Sequence, residues 1–148
     1  MWMIRTPIAW IWASPTTIPA MLYGTLSMLF GTKVRRVSHT LEFHGGPVSW
    51  FLSRTPVRAR AMTLGHVIFG QDECALDECR EHEWVHVRQY ERWGLLFVPT
   101  YLLCSAVLKL RGRNAYFENP FEAEAFEHDR LCSLGEMDRK APVISSEA

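Results

Sequence analysis

The order of apolar and polar residues predicts a helix near the beginning of the chain. No charged residue occurs within residues 6–32. In this stretch, Ser14 followed by Pro15 is typical of an N-cap and a first helical residue, and Gly31 is typical of a helix end. We therefore expect an apolar helix from Ser14 to about Gly31, inside an N-terminal segment of residues 1–32.

The next part of the chain predicts a small sheet. Short runs rich in β-branched and aromatic residues alternate with turn residues, as is typical of strands. The sequence Gly45-Gly46-Pro47 is typical of a turn. It predicts that the run Val48–Leu52, which follows the turn, pairs in a hairpin with the run before it. The predicted strands are Val34–Val37, Leu41–Phe43, Val48–Leu52 and Ala61–Phe69.

Three helical segments follow the predicted sheet. Asp77 is suited to be the N-cap of the first helix, and Gly94 lies just past its end. The dipeptide Asn119-Pro120 is typical of the start of the last helix. The predicted helices are Asp77–Trp93, Leu95–Leu110 with an interruption at Pro99, and Asn119–Cys132.

The pattern as a whole predicts one α+β domain over residues 33–132. Its small, mainly antiparallel sheet is expected to pack on the helix that starts at Asp77 and on the helix that starts at Asn119. A length of 148 residues suits a single domain. Residues 133–148 lack an apolar pattern and are expected to form a flexible tail.

Composition and charge narrow the classes of function. Sixteen Lys and Arg residues balance sixteen Asp and Glu residues, which disfavours a nucleic-acid binder driven by positive charge. The charges are uneven, with seven basic residues against one acidic residue in 1–70 and nine against fifteen in 71–148. The four cysteines form no CxxC pair, which indicates reduced thiols in a cytosolic setting.

The candidate chemistry lies in the helix predicted at 77–93, which contains His82-Glu83-x-x-His86. Residues four apart on a helix share one face about 6 Å apart, so two imidazoles at this spacing can bind one Zn²⁺ ion. Glu83 is placed to take a proton from a metal-activated water as general base. The motif predicts one Zn²⁺ per chain, with His82 and His86 as ligands and Glu83 as the catalytic residue.

An open zinc site needs a third protein ligand. Residues 119–124 offer two acids, Glu122 and Glu124, at the start of a helix with small neighbours. The two side chains point about 200° apart on a helix, so only one can face the metal. We expect Glu122 to be the ligand, with Glu124 as the alternative. Glu122 also has a competing role as a capping-box acid three residues after Asn119.

Further residues are candidates for supporting roles. Gln89 lies one turn beyond His86 on the same face and suits a hydrogen bond to that ligand, although it equally suits a bond to the sheet. The candidate donors to an oxyanion are His66, Tyr116 and His128, none of which is tied to the site by spacing.

The motif and the later acids resemble the gluzincin branch of the HExxH metallopeptidases. The element Glu122-Ala-Glu124-Ala-Phe126 is similar to the ExEAD-type element of membrane CAAX prenyl proteases and their bacterial quality-control relatives. The combination of HExxHxxQ with NPxExEA also resembles small bacterial proteins. This resemblance covers about residues 61–128.

The resemblance implies a minimal zincin-like fold with Glu122 as the third ligand. It also implies that the strand Ala61–Phe69 lies at the rim of the cleft and can pair with an extended peptide substrate. Phe126 departs from the pattern, in which an aspartate supports a zinc-binding histidine. The expected function is zinc-dependent hydrolysis of a peptide or protein substrate.

Three alternatives stay open at the level of the sequence. One is a non-catalytic, membrane-associated protein whose metal site is structural. Another is a closed zinc site in which Cys79, with Cys74 nearby, joins the two histidines of the motif. The third is a di-iron site built on Glu83-x-x-His86. It lacks a second ExxH, because Glu124 and His128 are four residues apart.

Two uncharged stretches predict membrane association. Residues 6–32 contain aromatic residues and have basic flanks, as is typical of a segment at a membrane surface. Residues 94–108 are also uncharged and are too short for an ordinary membrane span. We expect a domain that is associated with the inner membrane and faces the cytoplasm. The alternative is a cytoplasmic protein with a buried N-terminal helix.

Overall fold

The computed structural model describes residues 5–55 and 58–140, with the side chains of 14–55 and 58–135. Within them the chain has an α+β fold with five helices and one four-stranded sheet. The helices are α1 (Arg5–Ser27), α2 (Gly46–Ser53), α3 (Glu73–Trp93), α4 (Phe97–Leu110) and α5 (Pro120–Lys140). The strands are β1 (Lys33–Val37), β2 (Thr40–His44), β3 (Ala61–Leu64) and β4 (Val67–Gly70).

The sheet is mixed, with the strand order β1-β2-β4-β3. The two outer pairings, β1 with β2 and β3 with β4, are antiparallel, and the central pairing of β2 with β4 is parallel. The connection from β2 to β4 passes through α2 and then β3, and the hairpin between β3 and β4 returns the chain to the direction of β2. The predicted α+β class is confirmed.

The strand predicted at Val48–Leu52 is wrong, because these residues belong to helix α2. Pro47 lies in the first turn of α2, where its fixed φ favours a helix and its missing N–H has no cost. Val48 and Leu52 are four residues apart and both are fully buried. Trp50 lies between them and is 58% exposed, whereas in a strand it would share the face of Val48 and Leu52, so the burial pattern fits a helix.

The single strand predicted at Ala61–Phe69 is also wrong, because it is a hairpin of β3 and β4. The chain turns at Gly65 and His66, and Gly65 has a φ of +65°, in the left-handed region that glycine tolerates. A Cβ atom on Gly65 would lie 2.1 Å from Oγ1 of Thr17 in α1. Glycine therefore permits both the turn and its close packing against α1.

Helix α1 differs from the prediction at its beginning. It begins at Arg5 rather than at Ser14, and it continues through Pro15 and Pro19. Each proline removes one backbone donor, which a long helix can tolerate. The predicted end near Gly31 is confirmed, since a 3₁₀ turn over Met28–Phe30 follows α1 and Gly31 closes it with a φ of +90°.

Helix α3 begins earlier than predicted. Its N-cap is Asp72, whose Oδ1 accepts a hydrogen bond of 2.7 Å from the backbone N–H of Ala75. The predicted N-cap, Asp77, lies inside the helix. Its carboxylate instead accepts hydrogen bonds from Arg35 and Arg80.

Helix α5 extends to Lys140, past the predicted end at Cys132. The part of the predicted tail over residues 133–140 is therefore helical. The remaining part, residues 141–148, lies outside the described residues.

The core has three parts that fix the position of α3. On one face of the sheet, β2 and β4 pack with α1 and α2 through a cluster of Ala20, Phe43, Val48, Leu52, Val67 and Phe69. On the other face, Ile68 of β4 packs with Leu76 and Val87 of α3. A third cluster, Tyr90, Phe97 and Phe121, joins α3 to α4 and α5. One side of α3 thus lies on the sheet and another side faces α5.

A buried carboxylate also ties α3 to the sheet. The side chain of Glu42 in β2 is fully buried and accepts hydrogen bonds from Nε of Arg35 at 2.6 Å and Nε of Arg80 at 3.0 Å. Arg80 lies on α3, and Arg35 lies on β1. The carboxylate therefore holds three elements together through two charge-assisted contacts.

Glu42→Ala is expected to lower the free energy of unfolding by roughly 2–4 kcal/mol, because two arginines lose their buried partner. Chemical denaturation followed by circular dichroism measures this change. Glu73→Ala is the matched control, since Glu73 bonds the same Arg35 from an exposed position. The control should keep the stability of the native chain. An equal loss in both variants would show that the buried carboxylate has no special role.

Candidate metal centre

Two histidines of α3 and one glutamate of α5 form a compact group of possible metal ligands. His82 and His86 lie one turn apart on α3, and Glu122 lies in the first turn of α5. Oε2 of Glu122 is 3.3 Å from Nε2 of His82 and 3.6 Å from Nε2 of His86. The three ligand atoms lie within 4.8 Å of one another, so they can hold one ion.

The structure brings Glu122, rather than Glu124, to the two histidines. Glu124 points to another side of α5, where its carboxylate accepts hydrogen bonds from Gln89 and Arg92. This arrangement agrees with the angle of about 200° expected between side chains two residues apart on a helix.

The start of α5 is fixed by Asn119 and not by a capping box. Oδ1 of Asn119 accepts a hydrogen bond from the N–H of Phe121. Its Nδ2 donates to the carbonyl of Tyr101 and to Oγ of Ser105, which ties the start of α5 to α4. The carboxylate of Glu122 instead accepts a hydrogen bond of 2.6 Å from the hydroxyl of Tyr101.

Hydrogen bonds orient both imidazole rings toward Glu122. Nδ1 of His82 lies 2.8 Å from Oδ2 of Asp129, and Nδ1 of His86 lies 2.8 Å from Oε1 of Gln89. Since Nε2 of Gln89 donates to the carbonyl of Phe121 and to Glu124, its Oε1 must be the acceptor. Both Nδ1 atoms therefore act as donors, so in the neutral form of each ring Nε2 carries the lone pair that can bind an ion.

Asp129 is a residue of the site that the sequence analysis missed. It lies seven residues after Glu122, which is two helical turns and hence the same face of α5. Position 126, where the ExEAD-type element has an aspartate, is occupied here by Phe126, and the centroid of its ring lies 5.0 Å from that of His82. The carboxylate that supports His82 thus comes from one turn further along α5. The spacing of seven residues between Glu122 and Asp129 is the sequence signal from which the role of Asp129 could have been predicted.

Glu83 lies beside the two histidines and is almost completely buried. Its Oε2 accepts a hydrogen bond of 2.7 Å from Oγ1 of Thr63 in β3. Thr63 is a second residue that the sequence analysis missed, because its contact with Glu83 depends on how α3 packs on the sheet. The bond fixes one oxygen of the carboxylate.

A cavity of about 270 Å³ opens beside these residues. One wall is the edge strand β3, and another wall is α4. Its lining contains the four site residues on α3 and α5, the hydroxyl-bearing Tyr101 and Tyr116, and apolar side chains that include Met62, Leu64, Val98 and Leu102. The candidate ligands therefore lie on the wall of this cavity.

His66 lies outside this cavity, and only Tyr116 of the three candidate oxyanion donors lines it. The ring of His66 is fully buried, its Nε2 is 3.2 Å from Oε1 of Glu91, and it packs near His39. His128 lies on α5 with its Nδ1 3.6 Å from Sγ of Cys132. Tyr101, which the sequence analysis did not single out, donates its hydroxyl proton to Oε1 of Glu122 at 2.6 Å.

The charges of the site shift the pKa values of its residues. Burial lowers the pKa of His82, but hydrogen bonds to Glu122 and Asp129 outweigh burial and raise it to about 9. Burial raises the pKa of Glu122, but hydrogen bonds from His82 and His86 lower it to about 2. Burial raises the pKa of Glu83. Buried carboxylates thus surround the imidazoles with negative charge, which favours a bound cation.

The cysteines near the motif do not complete this group. Among the described residues, the groups that are close enough to share an ion include neither Cys74 nor Cys79. Cys74 is exposed, and its thiol donates to Oε1 of Glu78 at 3.2 Å. The geometry therefore favours an open site with two nitrogens and one oxygen.

Comparison with known proteins provides no assignment: no protein-family model, curated protein or solved structure matches this chain.

Substitutions at three of the acidic residues of α5 are expected to give a graded series in zinc binding. Glu122→Ala should remove one equivalent of tightly bound Zn²⁺, because it deletes a ligand. Asp129→Asn should weaken the affinity by roughly 10–100-fold, because the amide supports His82 less well. Glu124→Ala is the control and should retain the zinc. Competition with a chromophoric chelator measures all three affinities, and equal effects of Glu122→Ala and Glu124→Ala would contradict the assignment.

Proposed function

We propose that this protein is a zinc-dependent peptidase of the gluzincin type, with a minimal zincin-like arrangement of sheet, α3 and α5. One observation carries the proposal. Two imidazole nitrogens and a carboxylate converge in a cavity that also contains buried Glu83 and an edge strand. The resemblance of His82-Glu83-x-x-His86 and the later Glu122 to gluzincin motifs supports the same class.

The donor atoms fit a zinc ion. Two imidazoles and one carboxylate are a typical donor set of catalytic zinc sites that keep a fourth position open. The separations of 3.3 and 3.6 Å between Glu122 and the two imidazoles suit ligands about 2.0–2.2 Å from one central ion. A zinc ion bound here supplies Lewis-acid activation of a water molecule and of a peptide carbonyl.

Glu83 is the proposed general base. Thr63 holds one oxygen of its carboxylate and leaves the other oxygen available for a water molecule in the cavity. Because burial raises its pKa, the carboxylate is a stronger base than an exposed glutamate. It can take a proton from the attacking water and pass this proton to the leaving amine.

The two tyrosines have different proposed roles. Tyr101 donates to Glu122 and so positions this ligand. Tyr116 lines the cavity and is the proposed hydrogen-bond donor to the oxyanion that forms on the substrate carbonyl. Burial raises the pKa of the Tyr116 hydroxyl, so it keeps its proton at neutral pH.

Strand β3 is the proposed binding site for the substrate backbone. It lies at the edge of the sheet, where one side of its backbone can pair with an added strand. The apolar side chains of Met62, Leu64 and Val98 line the cavity beside it. The proposed substrate is therefore an extended segment of a peptide or protein with an apolar side chain near the cleaved bond.

Glu83→Gln is expected to lower the rate of casein hydrolysis by a factor of about 10²–10⁴, because glutamine cannot take a proton. Zinc affinity should survive, since Glu83 is not a ligand. A fluorescent casein assay, with zinc measured on the same samples, tests both expectations. Glu78→Gln is the matched control, because this exposed residue lies on the same helix outside the cavity.

The same assay distinguishes the alternative of a non-catalytic protein with a structural metal site. In that case the native chain and the Glu83→Gln variant would both bind zinc, and neither would cleave casein. Cleavage that survives Glu83→Gln unchanged would contradict the proposed role of Glu83.

We further propose that the protein lies on the cytoplasmic surface of the inner membrane, through an apolar face formed by α1, α4 and the turns beside them. This apolar face contains the exposed residues Ile18, Leu22, Leu26, Leu29, Phe30, Leu95, Leu96, Leu102, Leu103 and Leu110. Helix α1 contacts the 3₁₀ turn Gly94–Leu96 that precedes α4, so the two parts are adjacent. A different occupant of this face would be a second copy of the chain in a cytoplasmic protein.

The composition of α4 and the nearby charges support a membrane as the occupant. A window of 18 residues within Glu73–Leu110 has a mean hydropathy of 1.6, and only 17% of it is buried, unlike a core helix. Basic residues directly follow both apolar segments, namely Lys33 after α1 and Lys109 and Arg111 around Leu110. Such residues complement anionic lipid headgroups. The helix is interrupted at Gly94, between α3 and α4, and this break favours a segment that lies on the membrane surface over one that crosses the membrane.

The double variant Leu96→Asp, Leu103→Asp is expected to reduce sedimentation with phosphatidylglycerol vesicles at least tenfold, because it places two charges in the apolar face. Leu131→Asp is the matched control, since Leu131 is 56% exposed on α5, comparable with 61% for Leu96 and 64% for Leu103. A native chain that stays in the supernatant would contradict membrane binding. In that case, dimers observed by light scattering would assign the face to a second copy.

A further inference from the structure

A second group of metal-binding side chains lies between α3 and α5, outside the candidate metal centre. It contains Glu81 of α3 and His128 and Cys132 of α5, whose ligand atoms lie within 4.8 Å of one another. Glu81 is exposed, and the other two side chains are half-buried. Each helix thus places a member of this group directly beside a residue of the first site, since Glu81 precedes His82 and His128 precedes Asp129.

The spacing of the two α5 residues suits a shared ion. His128 and Cys132 are four residues apart, so their side chains are neighbours on one face of the helix. Nδ1 of His128 is 3.6 Å from Sγ of Cys132. Two ligands of a tetrahedral ion with a metal–nitrogen distance of about 2.0 Å and a metal–sulfur distance of about 2.3 Å are separated by about 3.5 Å. The observed separation already matches this value.

We propose that Glu81, His128 and Cys132 form a second cation site, which binds a borderline or soft divalent ion such as Zn²⁺ or Co²⁺. A thiolate and an imidazole favour such ions over Mg²⁺ and Ca²⁺, which prefer oxygen ligands. The site takes one ligand from α3 and two from α5, so a bound ion joins the two helices beside the bond between His82 and Asp129. The chain then binds up to two ions instead of one.

The sulfur ligand makes this site distinguishable from the first. The candidate metal centre has only nitrogen and oxygen donors. A thiolate-to-cobalt charge-transfer absorption in the near ultraviolet therefore reports the second site alone. This signal does not depend on hydrolysis, so the proposal can fail or hold independently of the proposed peptidase function.

The test is a titration of the full chain with Co²⁺ under a phosphine reductant, which keeps the thiols reduced. The native chain should develop a charge-transfer band that saturates when one cobalt ion per chain occupies the second site. His86→Ala, which removes a ligand of the first site, should keep this band. Cys132→Ser should abolish the band, and Cys74→Ser, which changes an exposed cysteine of α3, should keep it.

Two further variants keep the test valid if Cys132→Ser fails to fold. Glu81→Gln and His128→Ala should each weaken the cobalt affinity read from the band at least tenfold. Absence of the band in the native chain would overturn the proposal. A band that survives Cys132→Ser would also overturn it, because the thiolate would then belong to another site. The same holds if the band keeps its cobalt affinity in both Glu81→Gln and His128→Ala.

Discussion

The contact between α3 and α5 is the constraint on which the candidate site depends. It brings together His82 and Glu122, which are 40 residues apart in the chain. Gln89 is central to this contact, because its amide bonds His86 on its own helix and both Phe121 and Glu124 on α5. A displacement of α5 would therefore disturb the third ligand and the orientation of a histidine at the same time.

Helix α3 carries buried charge in two places, and the two are compensated differently. At one place Glu42 meets two arginines, so the charges are balanced within the protein. At the other place Glu83, Glu122 and Asp129 surround two histidines. Within the described part of the chain, the hydrogen bonds to these three carboxylates come from histidine, threonine and tyrosine and not from arginine or lysine. This imbalance is the physical reason for proposing a cation there.

The local features of the site were predictable because they depend on helical spacing. His82, Glu83 and His86 share one helix, and the angle between Glu122 and Glu124 allows only one of them to face it. The errors came from segments where short apolar runs fit more than one structure. Val48–Leu52 has the composition of a strand, but Pro47 before it fits the first turn of a helix, and Trp50 is exposed between the two buried ends.

The residues that sequence analysis missed are those whose roles depend on packing. Thr63 reaches Glu83 only because β3 lies against α3, and Tyr101 reaches Glu122 only because Asn119 ties α5 to α4. Asp129 was hidden for a different reason. The expected position of the supporting carboxylate, four residues after Glu122, is occupied by Phe126, and the helix repeats the same face one turn later.

The central claim is that two imidazoles and one carboxylate hold a single zinc ion in the cavity beside β3. X-ray absorption at the zinc edge tests it most directly, on the Cys132→Ser variant loaded with one equivalent of zinc. The account predicts nitrogen and oxygen neighbours at about 2.0–2.2 Å and the outer-shell scattering of two imidazoles. A sulfur neighbour at about 2.3 Å, or the scattering of fewer than two imidazoles, would contradict it.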